Sequence, residues 1–364
     1  MFPWAYFTPM QYRLTRFILL ALLMPALGGC GYYLQSIHGQ WEVISKRQPI
    51  EALLADPQTP AALREKLRRA QQMRRFASDA LALPDNGSYR DYADLGRPFV
   101  VWNVFAARPL SLQLETWCFP VAGCVGYRGY FDEAEARAYA AGLQAQGLET
   151  HVAGISAYST LGWFDDPLLN TVLDRPEARL AGLMFHELAH QRVYVPGDTA
   201  FNEAFASAVE QEGVRRWLAR FGDERQRRKD ALFRQRQDDF VSLVTTTRDR
   251  LAALYASARP AAEKHARKAA IIAELRSAYA ALKRRWGGYA GYDTWFAGPL
   301  NNPQLAAVTT YRDGVPAFQA LLAAQGGDLA AFYREVEALG ELPARERQTR
   351  LRRLSAARLA APSP

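Results

Sequence analysis

Histidine and cysteine are scarce in this chain, with five and three among 364 residues. Three cysteines exclude a small disulfide-stapled scaffold, which needs a dense cysteine framework. Glycine-rich phosphate loops of the Gly-x-x-x-x-Gly-Lys type and dinucleotide turns of the Gly-x-Gly-x-x-Gly type are absent, so nucleotide-dependent classes lose their usual signature. No internal repeat recurs at a fixed period, which sets aside solenoids and propellers. Basic residues outnumber acidic ones, 45 to 37, for a net charge of +8. The arginines are scattered over helical faces, however, and no module of interleaved aromatic and basic residues points to nucleic acid. The charge serves solubility and is compatible with anionic lipid or cell-wall polymer.

The apolar run "FILLALLMPALGG" is too short to cross a bilayer as a mature helix. It follows Arg13 and Arg16 and ends in small residues before Cys30, so residues 1–29 read as a secretory signal. A start at Met10 gives the more conventional signal, because the opening "MFPWAYFTP" is unusually aromatic. The stretch "LGGC" resembles a bacterial lipobox, in which cleavage precedes the cysteine and that cysteine receives lipid. The resemblance implies a membrane-anchored lipoprotein of the bacterial cell envelope, facing the periplasm and held through Cys30. Only Cys118 and Cys124 then remain in the mature chain, and an oxidising compartment favours their pairing around "WCFPVAGCVG".

Hydrophobic residues make up 49% of the chain and aromatics 12%, enough for a substantial core. Helical spacing runs from Tyr32 to about Leu54 and again from Thr59, giving an N-terminal helical segment over 30–95. Aromatic and β-branched runs between "RPFVVWNVFAA" and "YRGYFD" read as strands and hairpins, followed by the helix "DEAEARAYAAGLQAQG" and a strand in "LETHVAGISAYST". An edge strand there would suit an extended peptide. From Val214 to Trp286 the chain is nearly all helix former, broken near Gly222 and at Pro260. A long αα-hairpin over about 214–286 is expected. The loop "WGGYAGYDTWFAGPLNN" is far enough along the chain from the "HELAHQ" stretch to return over it. The predicted class is α+β, predominantly helical, with a single catalytic unit over 96–364.

The stretch "HELAHQRVYVPGDTAFNEAFASAVEQEG", His186 to Gly213, spends two of the five histidines four residues apart. On a helix they share a face, so both imidazoles can reach one metal ion while Glu187 projects beside it. A catalytic zinc needs a third protein ligand and an open position. Among the remaining histidines, His38, His151 and His265 are isolated and read as structural.

"HELAHQ" resembles the first zinc motif of the aminopeptidase-N-type gluzincins, and "NEAFASAVEQEG" is similar to their second, whose Asn-Glu pair supplies the third ligand. The resemblance implies one Zn2+ held by His186, His190 and Glu203, with Glu187 catalytic, in a zincin-like peptidase fold. Over most of its mature length the chain also resembles a family of bacterial zinc aminopeptidase lipoproteins. Three departures stand out: the interval from His190 to Glu203 is short, Arg192 replaces a hydrophobic residue, and no Gly-x-Met-Glu-Asn motif precedes the helix. That motif holds the substrate's amino terminus in the gluzincin aminopeptidases.

Turn symmetry bears on the third ligand. A reversal at "VPGD" has its midpoint between Pro196 and Gly197, equally far from His190 and Glu203. Glu210 falls about 10 Å farther along its helix, where it would accept from His186 and fix the ring's tautomer. Tyr194, Tyr292 and Tyr311 are available as oxyanion donors, with no spacing rule to choose among them. The reading is a lipid-anchored zinc peptidase acting on peptide or protein substrates, foremost an aminopeptidase. An envelope endopeptidase and a non-catalytic, zinc-stabilised binding lipoprotein remain alternatives, the last opposed by Glu187, since a structural site needs no base.

Overall fold

The computed structural model describes residues 31–119, 123–157, 160, 164–308 and 314–360, with the side chains of 357–360 excepted. The expected signal over 1–29, Cys30 and Tyr311 lie outside the described residues.

The fold is α+β and predominantly helical. Helix α1 (31–45) leads through β1 (Arg47–Pro49) and α2 (Ile50–Ala55) to α3 (Ala61–Leu81). Five strands follow, β2 (Asp91–Ala93), β3 (Val101–Ala107), β4 (Trp117–Phe119), β5 (Gly123–Val125) and β6 (Arg128–Tyr130), then α4 (Glu133–Ala145), β7 (Glu149–Ile155) and β8 (Leu168–Leu169). The remainder is helical: α5 (Asn170–Leu173), α6 (Glu177–Arg192), α7 (Thr199–Phe221), α8 (Glu224–Ala256), α9 (Ala261–Arg285), α10 (Asp293–Ala297), α11 (Asn302–Val308), α12 (Val315–Ala324), α13 (Leu329–Glu341) and α14 (Ala344–Ala360).

The helix expected from Tyr32 to about Leu54 is broken in its middle. Pro49 biases the residue before it toward extended backbone, and Arg47–Pro49 pairs antiparallel with Asp91–Ala93 instead. Helix α1 then rests on the body through one face. Gly39 sits so close to Phe131 that a Cβ there would meet the ring at 2.0 Å, and Val43 is buried. The opposite face leaves Tyr33, Leu34, Ile37 and Trp41 in solvent.

Three layers of packing position the rest. The main core joins α3 to α6 and α7 through Leu67, Met73, Phe76, Met184, Phe185 and Phe205, with α12 and α13 closing it. Residues of the 30–95 segment therefore share a core with the helix that carries His186. A second core lies inside the α8–α9 hairpin, around Phe240, Val244, Leu275 and Tyr279. The hairpin begins at Glu224, because α7 runs unbroken past Val214 to Phe221 and Asp223 caps α8 in a capping box with Gln226. The Gly/Trp-rich loop packs here rather than over the His186 helix: Tyr292 stacks on Phe240 at 4.2 Å and Phe296 on Tyr279 at 3.8 Å.

The third layer is the sheet β6-β3-β7 against α4. Strand β7 is at its edge, with β3 its strand partner. Cys118 and Cys124 are disulfide-bonded across the β4–β5 hairpin, directly opposite in register.

Candidate metal centre

The two helices that carry the motif are held as an antiparallel pair by devices visible residue by residue. Helix α6 turns its apolar face, Leu180, Met184, Phe185 and Leu188, into the main core. The reversal at 193–198 is closed by Asn202, whose side-chain oxygen accepts from the Val195 N–H and whose amide donates to the Val195 carbonyl, each at 2.8 Å. Asp198 caps α7 by accepting from Phe201 N–H at 3.1 Å. Its other oxygen takes a fork from Arg347 of α14 at 2.9 and 2.7 Å. The turn is thus buttressed locally by Asn202 and from α14 by Arg347.

This reversal brings three donor atoms together. His186 Nε2 is 3.2 Å from Glu203 Oε2 and 3.2 Å from His190 Nε2, and His190 Nε2 is 3.7 Å from Glu203 Oε1. Tetrahedral zinc with bonds of about 2.0–2.1 Å sets its donors about 3.3 Å apart. The His186–His190 and His186–Glu203 distances match that spacing, with Glu203 turning one oxygen to each histidine, and two imidazoles and a carboxylate are a donor set that suits zinc. His190 is 7% exposed, and its Nδ1 is buried without a hydrogen-bond partner.

Glu210 reaches the same histidine from behind. Its Oε2 lies 3.3 Å from His186 Nδ1. The distance is that of an ion pair, while the alignment falls short of a hydrogen bond. Gly182 on α6 leaves the space: a Cβ there would come within 3.0 Å of the Glu210 carboxylate.

The side chains polarise one another strongly. Burial pulls the His186 imidazole down, but Glu203, Glu210 and Glu187 overcome it and hold it well above the usual histidine range. Burial pushes the Glu203 carboxyl up, yet its bonds to His186 and His190 win and set it at about 2. The Glu187 carboxyl is raised, first by burial, with the two histidines opposing and Glu203 and Asp166 adding to the rise. A divalent ion held by His186, His190 and Glu203 would take over the role of the His186 proton, because ligating imidazoles are neutral.

Around this triangle stand residues that the sequence did not single out. Tyr89 donates its N–H to Asp166 O at 2.7 Å, and its hydroxyl is pushed well up by burial and then by Glu187 and Asp166. The loop that carries it is pinned by the buried Arg74, which donates to Ser88 O and Pro84 O at 2.8 Å. Asn86 ties the same loop to Gln191, the neighbour of His190, at 2.8 Å. Tyr127, between β5 and β6, is raised by burial and then by the charges of Glu203 and Tyr194. Of the tyrosines named as oxyanion donors, Tyr194 thus lies near this wall, whereas Tyr292 is stacked inside the hairpin layer. Arg192 is held away by Glu337 at 2.7 Å. Only Asn202 had a signal in the sequence, its place before Glu203. Tyr89, Tyr127 and Asp166 come from segments with no motif.

A family model described as "Putative aminopeptidase" matches residues 31–351 of the chain. No curated protein matches the chain, and no solved structure does.

Proposed function

The chain belongs to the "Putative aminopeptidase" family, and from that premise we propose that it is a zinc-dependent peptidase with His186, His190 and Glu203 as ligands and Glu187 as proton carrier. The observation that carries the reading is the convergence of those three side chains, whose ligand atoms all lie within 4.8 Å of one another. When bound, zinc supplies Lewis acidity to the scissile carbonyl and to the attacking water. Glu187 takes a proton from that water as the C–O bond forms, then passes it to the leaving nitrogen as the C–N bond breaks. Tyr127 lies within reach of the Glu203 charge, where its hydroxyl would donate to the developing oxyanion. Strand β7 offers a sheet edge for an extended substrate. Ser156, the residue after it, accepts from Thr171 Oγ1 and from Arg175, whose charge feels Glu210 and Glu187.

Metal analysis of the purified protein should find about one zinc per chain. Stripping it with a chelator should abolish hydrolysis of a peptide with a free amino terminus, and added zinc should restore it. A chelated, metal-free protein working at full rate ends the zinc reading. Equal cleavage of the N-acetylated peptide replaces the aminopeptidase by an endopeptidase.

We also propose that Cys30 anchors the chain through lipid, on the outer side of a membrane. The support is α1, which follows directly and presents Tyr33, Leu34, Ile37 and Trp41 on one face at 45–66% exposure. An apolar helical face of this kind lies in a bilayer interface and strengthens a lipid anchor. Cys30→Ser should release processed protein from the membrane fraction or accumulate an uncut precursor. An unchanged mature species that still resists extraction contradicts the anchor.

A further inference from the structure

A cavity of about 210 Å³ adjoins the metal centre between α6, α7 and α8. His186 and Glu203 line it, and Ser207, Gln211, Arg179 and Arg234 line it beyond them. Arg179 stands seven residues before His186, about 10 Å along the α6 axis. Arg234 reaches in from α8.

The two guanidiniums are fixed in place by a single anion. Arg179 bonds one carboxylate oxygen of Asp230 and Arg234 bonds the other. Asp230 is itself buried, its side chain 2% exposed. Arg179 also lies over the Phe233 ring at 4.2 Å, and Arg234 reaches the Gln211 carbonyl at 3.4 Å. Both stay partly open to the cavity, with side chains 17% and 32% exposed.

Two cations share one anion, and the other carboxylates on the wall, Glu203 and Glu210, are engaged with His186 and His190. With a divalent ion in the triangle offsetting those two carboxylates, one positive charge is left over in a small chamber lined mostly by polar residues. Val214 is the one apolar residue in its lining. An apolar side chain entering here would strip water from Arg, Gln and Ser groups without replacing its hydrogen bonds, which is costly. A carboxylate would replace them and balance the charge, meeting guanidiniums already oriented for it.

We infer that this cavity is a subsite for a carboxylate of the peptide substrate close to the scissile bond, recognised by Arg179 and Arg234. The inference rests on the peptidase reading. The same chemistry fits an acidic side chain or the free carboxyl terminus of a short peptide, and the test separates the two.

The wild-type, zinc-loaded protein is assayed on matched peptides: Glu against Gln beside the scissile bond with an amidated end, and neutral dipeptides with free against amidated ends. The expected result is at least about a tenfold higher kcat/KM for the Glu peptide, as a charge-assisted pair predicts, and a smaller ratio in high salt. Arg234→Gln should bring the ratio toward one, and Arg234→Lys should recover part of it. A preference for the free end without a Glu preference assigns the subsite to the terminal carboxylate. Equal rates in both comparisons overturn the subsite and leave the peptidase reading standing. If no peptide is cleaved, the peptidase reading fails, and calorimetric binding of the Glu and Gln peptides to Glu187→Gln protein decides the subsite by itself, equal affinities overturning it.

Discussion

Glu187→Gln should keep its zinc and lose peptide hydrolysis, with kcat lower by about 10²–10⁴-fold, the usual contribution of a positioned general acid–base group. Gln has nearly the same shape and fills the same space on α6, so the packing of Leu188 and Ala189 in the main core is untouched. None of the three converging ligand atoms belongs to Glu187, and the metal affinity should hardly change. What is lost is a carboxylate able to take a proton in one step and return it in the next, which an amide cannot do. Metal analysis alongside kcat on a single peptide checks both halves. A wild-type rate in the zinc-loaded variant would falsify the proposed mechanism, and a variant emptied of metal would show that Glu187 is a ligand instead.

The second large effect concerns the two glutamates of α7. Glu203→Ala should weaken zinc binding more than Glu210→Ala. Glu203 places one oxygen 3.2 Å from His186 Nε2 and the other 3.7 Å from His190 Nε2. Glu210 approaches only the far nitrogen of His186, at 3.3 Å. Without Glu203 the ion keeps two nitrogens from one helix and nothing from the other. Without Glu210 all three donors remain, and the imidazole loses only the partner that orients its ring, typically a 10–100-fold cost in affinity. The loss for Glu203→Ala should lie beyond that range. Zinc titration against a competing chelator measures both, and the reverse ranking would overturn the ligand assignment.

Much of this geometry follows from short-range periodicity. At 3.6 residues per turn, His186 and His190 must share a face. A reversal centred on Pro196 and Gly197 sets His190 opposite Glu203 and moves Glu210 back toward His186, and the structure places them so. The helical content, the breaks near Gly222 and Pro260 and the strand character of β7 are likewise local or nearly so, because caps, prolines and alternation act within a few residues.

Long-range pairing left no such trace. The helix expected through Leu54 gave way to β1, because its strand partner β2 lies far along the chain and periodicity in one segment cannot report a partner in another. The Gly/Trp-rich loop satisfied its aromatic rings on Phe240 and Tyr279 instead of over the metal centre, a choice made by packing between distant segments. Tyr89, Tyr127 and Asp166 surround the site from loops without a motif, and Arg234 looks like one more charge on a solvated helix until α8 packs beside α7. Residues four apart on one helix meet by covalent geometry alone; residues on separate elements meet only when burial of apolar surface docks those elements. The sequence therefore carried the proposed ligand set of His186, His190 and Glu203, and the packed chain supplied the walls around it.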